Sequence, residues 1–373
     1  MGKRTLFLVV VLIISGLFSG KISASEPTEH TISEQDSIHA ATVHAEGTHG
    51  ETKDGKVDIT AVAFEHILDS HYWHFWGEGE GTVAAPLPCI IYSNKAGLQV
   101  FSSGVFHHGH ESYGNYSLVH EEIVSSDPDE VIYDFSITKN VMQLFISAAL
   151  ILWLFTSVAK AYKNTGVTSA PTGKQSFFEP LITFVRDDIA KDNIGAKSEK
   201  FTPYLLTVFF LILINNVLGM VPIGANLTGN IAFTFTLAAC TLIITNINGN
   251  KHYWLHILLP PVPKALYPMM IPLEILGIIT KPFALMIRLF ANMTAGHIIV
   301  ISLIGLIFYF ETLWISPVSV AFTLFIDVLE CLVAVLQAYI FTLLTSQFIG
   351  AAVADHHDAE EHGDIDHSED AII

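Results

Sequence analysis

The 373-residue sequence predicts an all-α membrane protein of about five membrane-spanning helices. Two long tilted helices close the chain, and a small external domain with some β-structure precedes the spans. Three observations carry this. The chain is 51% hydrophobic and only 14% charged, with a mean hydropathy of +0.49, whereas a soluble domain carries roughly a quarter charged residues. The apolar residues gather in runs near 141–162, 203–222, 229–248, 269–309 and 317–350, and a bilayer is crossed by about 20 such residues. The net charge is −18, with acids and histidines concentrated in the first 139 residues and the last 20. That balance excludes nucleic acid as a partner.

Five regions follow in order. Lys3 and Arg4 precede the apolar run Leu6–Leu17, and Ser23, Ala24 and Ser25 follow, so residues 1–24 read as a secretory signal peptide. An uncleaved first helix is the alternative, disfavoured by the shortness of the run. Residues 25–57 are rich in His, Glu, Thr and Ser and predict disorder. Residues 58–139 predict a small external, periplasmic domain. There "PCIIYSNKAGLQVFSS" reads as two strands around Asn94–Gly97, beside the aromatic "HYWHFW" of 71–76. Residues 140–350 form the membrane domain, and 351–373 an acidic, His-rich cytoplasmic tail. Cys89 stands alone in the polar half, with Cys240 and Cys331 in apolar runs, so no disulfide framework is expected.

Orientation comes from the cations. Lys160 and Lys163 end the first run, and the loop 163–200 carries Lys174, Arg186, Lys191, Lys197 and Lys200. The loop 223–228 has none, the loop 249–268 has Lys251 and Lys264, and the loop 311–316 has none. This alternation puts the N-terminus outside and the C-terminus in the cytoplasm.

Ionisable residues inside apolar runs cost about 2.5–3.5 kcal/mol each on insertion scales, so they are functional candidates. One run holds Glu274, Lys281, Arg288, Asn292 and His297; the next holds Asp327, Glu330 and Gln337. Positions seven apart on a helix fall within about 20° of each other. Glu274, Lys281 and Arg288 therefore form one stripe, and Glu330 and Gln337 share a face. His297, nine residues past Arg288, points nearly the other way. Arg stays charged and cannot carry a proton, but it draws a passing carboxyl into its ionised form. His297 and Glu330 can change protonation, while Asn292 and Gln337 can hydrogen-bond water or carboxylate. Plainer readings stay open. Lys281 could snorkel to the interface, Glu274 could line a vestibule, Asp327 could be structural, and Asn215 and Asn216 could be interhelical glue.

These residues carry a resemblance. "ITKPFALMIRLFANMTAGHIIVISLI" (279–304), "LQAYIFTLLTSQFI" (336–349) and "AKDNIG" (190–195) followed by "FTPYLLTVFFLILINNVLGMVP" (201–222) resemble subunit a of F-type ATP synthases, over roughly 141–350. The resemblance implies a proton-channel subunit beside a rotating c-subunit ring, with subunit b of the peripheral stalk and the remainder of the synthase as further partners. It implies a bacterial inner membrane location, no cofactor and no metal, and no ATP chemistry on this chain itself. Two half-channels would load and unload protons on the ring carboxylates. Arg288 matches the essential arginine, Asn292 the asparagine one turn on, and Gln337 the glutamine neighbouring the arginine. Glu274 matches an acid of the cytoplasmic outlet, and His297 with Glu330 the pair of the inlet half-channel. Many bacterial members carry that pair in the reverse order; the order here resembles mitochondrial members. Residues 25–139 greatly exceed the family's usual external segment.

A stand-alone metal transporter is the competing reading. It is motivated by 18 histidines, 11 of them in residues 25–139. Against it, the two candidate transport helices carry no HxxxH or HxxxD pair, and a membrane arginine repels a divalent cation. The external histidines could also buffer protons or bind metal, or be a solvated extension.

Overall fold

The computed structural model describes residues 22–23, 69–76, 83–165 except 110, 120 and 128, 173–260 except 222 and 223, 262–263, 266–310 and 314–354. Most of the expected signal peptide, the expected disordered segment 25–57 and the acidic tail from 355 lie outside these residues.

The N-terminal domain is antiparallel β-structure. Its strands are β1 (Ile22–Ser23), β2 (Tyr72–Trp76), β3 (Val83–Pro86), β4 (Pro88–Ser93), β5 (Gly97–Ser102), β6 (Tyr116–Val119), β7 (Glu122–Ser125) and β8 (Ile132–Asp134). They form a four-stranded sheet in the order β1-β8-β4-β5 and two hairpins, β2-β3 and β6-β7. The hairpin expected around Asn94–Gly97 is β4-β5, with Ser93 facing Gly97 in register. Gly97 sits at φ +72°, where a side chain is strained. Alternation along β4 turns Cys89, Ile91 and Ser93 inward. Cys89 and Ile91 join Tyr72, Phe106, Tyr116 and Ile132 in a small core. Burial pushes the Cys89 thiol up to about 12, so it stays an unreactive thiol at neutral pH.

Two polar devices hold this domain. The buried Glu130 carboxylate accepts hydrogen bonds from the hydroxyls of Ser125 (2.6 Å), Ser93 and Tyr116 (2.9 Å). Asp69 accepts from the Thr138 hydroxyl at 2.7 Å and the Asn140 amide at 3.2 Å. It thereby caps the first membrane helix, α1 (Lys139–Thr165), with a negative group at the positive end of its dipole. The Lys139 amide also donates to the Ser70 carbonyl, which fixes the domain to that helix.

The membrane part continues with α2 (Lys174–Thr183), a π-helical turn (Phe184–Lys191), α3 (Ser198–Met220), α4 (Ile231–Ile247), α5 (Lys251–Leu258), α6 (Tyr267–Phe310) and α7 (Ile315–Val353). Four described helices are long and apolar enough to cross a membrane, or five if α4 and α5, bent by 102° at their junction, count as one. The expected loop 163–200 is instead largely a helical arm, because Val185, Ile189 and Ala190 bury themselves in the core around α3. The arm also meets the end of α7 closely. A Cβ on Gly350 would lie 2.0 Å from the Asn193 carbonyl oxygen.

α3 is the centre of the bundle. Leu205, Val208, Phe210 and Ile212 on it are essentially fully buried. α6 and α7 lie outermost and leave most of their apolar surface exposed. At about 1.5 Å per residue the 44 residues of α6 extend about 66 Å, against a hydrocarbon core of about 30 Å, so this helix must lie steeply inclined or bent. The two are antiparallel neighbours: Lys281 reaches the Phe348 ring, His297 meets Glu330, and Ser319 bonds the Leu303 carbonyl.

The hydroxyls of Ser125 and then Ser93 hold the Glu130 carboxyl below its ordinary value of 4.5. A lowered native value means that protons favour the unfolded chain. Its stabilisation is therefore complete above that ordinary value and is lost as the pH falls through the native one. Thermal scans of tryptophan fluorescence on the full chain, between neutral and acid pH, should show the N-terminal β-domain weakening on acidification. Glu130→Gln should make that dependence shallower; an identical profile would contradict the assignment.

Candidate functional site

The site forms where α3, α6 and α7 meet. Apolar residues four apart on α6, Leu285, Leu289 and Met293, are buried against the bundle. The adjoining positions Ala284, Arg288 and Asn292, about 100° round the helix, are exposed. His297 lies toward the bundle, its side chain 18% exposed. One helix thus separates the two chemistries, with Arg288 and His297 nine residues apart, about 14 Å along the axis.

Both nitrogens of His297 are engaged. Nε2 lies 2.9 Å from the Gly219 carbonyl oxygen and Nδ1 lies 2.9 Å from Glu330 Oε1. A carbonyl only accepts, so Nε2 carries a hydrogen. Gly219 is in the last turn of α3, where carbonyls lack intrahelical donors. With that tautomer held, Nδ1 presents a lone pair to Glu330 unless a proton lies between them. The proton can sit on Glu330 with the ring neutral, or on the ring with Glu330 ionised. A hydrogen bond across this contact therefore requires one proton between the two groups.

Glu330 is buried and reaches this place because residue 296 is glycine. A Cβ there would stand 2.9 Å from Glu330 Oε1. Asn216, fully buried, donates at 3.0 Å to the Ala334 carbonyl, one turn beyond Glu330 on α7. Asn215, equally buried, donates at 2.7 Å to Leu211 on its own helix. So Asn216 links two helices and Asn215 does not. Each leaves a buried side-chain oxygen without a partner.

Among the described residues Arg288 has no hydrogen bond or ion pair, and Ile287, Ala291 and Ala295 around it are exposed. Lys281 is exposed, its ammonium 5.9 Å from the centre of the Phe348 ring. Glu274 is half-buried, so the expected stripe runs along one helix without contact between its members. Gln337 is buried on the same side of α7 as Glu330, and Asp327 is exposed one turn before Glu330. The structure unites His297 with Glu330 and leaves Arg288 and Asn292 outside. The sequence reading missed the Gly219 carbonyl, which no side-chain pattern marks, and Gly296, whose only signal is a glycine beside the histidine. Among the described residues no three His, Cys, Asp or Glu side chains are grouped to hold a metal.

A polytopic bundle with a hydrogen-bonded His–Glu pair inside and, on its apolar outer face, a cation without a partner among the described residues has the layout of an ion-translocating membrane subunit. The chain belongs to the family described as ATP synthase A chain, whose family model matches residues 141–350. Residues 62–144 match a family described as a domain of unknown function (DUF8433). The chain is 48% identical over 239 residues to a protein of Chloroherpeton thalassium, covering 63% of this chain and 71% of that one. It is 39% identical over 374 residues to one of Chlorobium phaeobacteroides (strain DSM 266 / SMG 266 / 2430), covering 97% and 95%. It is 45% identical over 274 residues to one of Pelodictyon phaeoclathratiforme, covering 68% and 80%. Each is named ATP synthase subunit a. The second match takes in the long N-terminal region, which is therefore shared with that relative.

Gly296→Ala should push the Glu330 carboxylate away from His297. The Nδ1 resonance of His297 in labelled protein, identified by its loss in His297→Gln, should then move toward that of a free imidazole. An unmoved resonance would count against the contact.

Proposed function

We propose that this chain is the proton-channel subunit of a rotary F-type ATP synthase, carrying protons between the two faces of the membrane and the carboxylates of a c-subunit ring. The observation that carries the reading is Arg288, an unpartnered cation on an apolar outer face, with the His297–Glu330 pair turned inward on the same helix. A charge exposed to hydrocarbon is costly, so the face of Arg288 calls for a partner that brings an anion. A passing ring carboxylate supplies it. The small residues Ala284, Ala291 and Ala295 flanking Arg288 allow a neighbouring helix to come close.

In this mechanism a proton from the outside reaches His297 and Glu330 and is handed to a ring carboxylate, which then turns into lipid. A site arriving from the other side meets Arg288, whose charge favours the ionised carboxylate, so its proton leaves toward the cytoplasm past Glu274. Arg288, which cannot give up its own proton, also blocks a direct leak between the two paths. Asn292 and Gln337 orient the carboxylate or water near the arginine, and Asp327 supports Glu330. Lys281 sits toward the membrane interface. Asn216 holds α3 to α7 behind the pair, and Asn215 lines the same wall. Each charge crossing 100 mV releases about 2.3 kcal/mol for rotation.

The same reading places the chain in a bacterial inner membrane, with residues 1–24 as a cleaved signal, the external domain in the periplasm and the C-terminus in the cytoplasm. Its partners are the c-ring, subunit b of the peripheral stalk and the rest of the synthase. The test is Arg288→Ala: ATP-driven proton pumping in membrane vesicles should fall to background with the complex still assembled. Undiminished pumping would sink the proposal.

A further inference from the structure

A cavity of about 1020 Å³ opens between α1, the π-helical turn and α3. Its two ends differ in chemistry. Ile151 and Phe155 of α1 and Leu206 of α3 line one end, and Lys191, Asp192 and Glu199 line the other. Arg186 also lines it, but its guanidinium is already paired with Asp187 at 2.6 and 3.0 Å. Among the described residues Lys191, Asp192 and Glu199 make no ion pair. Pro203, four residues beyond Glu199, has no N–H to give the Glu199 carbonyl its usual helical hydrogen bond.

The depth of the cavity matches a lipid leaflet. Ser198 to Leu206 is eight residues of helix, about 12 Å, against about 15 Å for half the hydrocarbon core. Along α1, Ile151 and Phe155 lie about 18 and 24 Å from its outer end, within the half of the membrane nearer the arm. The apolar end therefore faces acyl-chain depth and the charged end faces headgroup depth.

We propose that this cavity is a binding site for one phospholipid whose headgroup carries both a phosphate and a primary ammonium. Lys191 meets the phosphate, while Asp192 and Glu199 accept the ammonium hydrogens. A quaternary ammonium has the same charge but no hydrogen to donate, and an anionic headgroup brings no cation for the two acids. The inference rests on the membrane setting alone and is independent of the proton-channel reading.

The assembled complex, stripped of lipid and exposed to micelles holding equal amounts of ethanolamine, choline and glycerol phospholipids, would be examined by native mass spectrometry. One ethanolamine phospholipid should be retained per copy of this chain, favoured about tenfold over the choline form, as expected for about 1.4 kcal/mol. Glu199→Gln should bring the preference near parity, whereas Lys191→Gln, which touches the phosphate common to all three lipids, should lower the retention of each. Equal retention of the three lipids by the unaltered complex, or a preference unchanged in Glu199→Gln, would overturn the site. A benzoylphenylalanine at Phe155 gives a second reading that needs no charge variant to assemble. It should label a phospholipid, and labelling of a polypeptide would mean that a subunit helix fills the cavity, which also overturns the proposal.

Discussion

An imidazole has two nitrogens, and in this chain both are committed. His297 binds the Gly219 carbonyl of α3 with one and Glu330 of α7 with the other. This joins the three helices that carry the polar residues of the membrane part. The carbonyl fixes the tautomer, and the fixed tautomer makes the contact with Glu330 depend on a single shared proton. Little else in the surroundings could substitute. Gly296 is needed for the approach of the carboxylate, and Asn216 ties α3 to α7 one turn away. A hydrogen-bonded His–Glu pair away from water needs partners held in place, and the crossing of these helices supplies them.

The same helix keeps its permanent cation apart from this pair. Leu285, Leu289 and Met293 occupy the inward stripe, so the i, i+4 repeat leaves Arg288 and Asn292 facing out. Arg288 cannot reach Glu330 and quench it. Among the described residues no counter-charge reaches it. The apolar surface of α6 and α7 is exposed as well, since these long helices bury little of themselves against their own chain.

The N-terminal β-domain is anchored with comparable care. Asp69 caps α1 through Thr138 and Asn140, and the Ser70 carbonyl accepts from Lys139. A swivelling tether would need neither contact. The first membrane helix thus begins inside the hydrogen-bond network of a β-domain, and the two parts meet at a defined joint.

Much of this was legible in the amino-acid order, for a physical reason. Lipid tolerates few polar groups, so apolar runs announce helices, and the exceptions within them, Arg288, His297, Glu330 and Gln337, announce the site. Helical periodicity then separated Arg288 from His297, and the β4-β5 turn was marked by its Asn-Lys-Ala-Gly. Other features depended on contacts that no local pattern records. The arm 174–197 reads as a charged loop until Val185 and Ile189 find the core of α3. The 102° break between α4 and α5 leaves no spanning helix of the usual length there. Whether Asn215 or Asn216 would bridge two helices depended on which faced Ala334. Above all, the partner that sets the proton on His297 is a backbone carbonyl. Every residue has one, so sequence cannot single out Gly219; only the packing of α3 against α6 does.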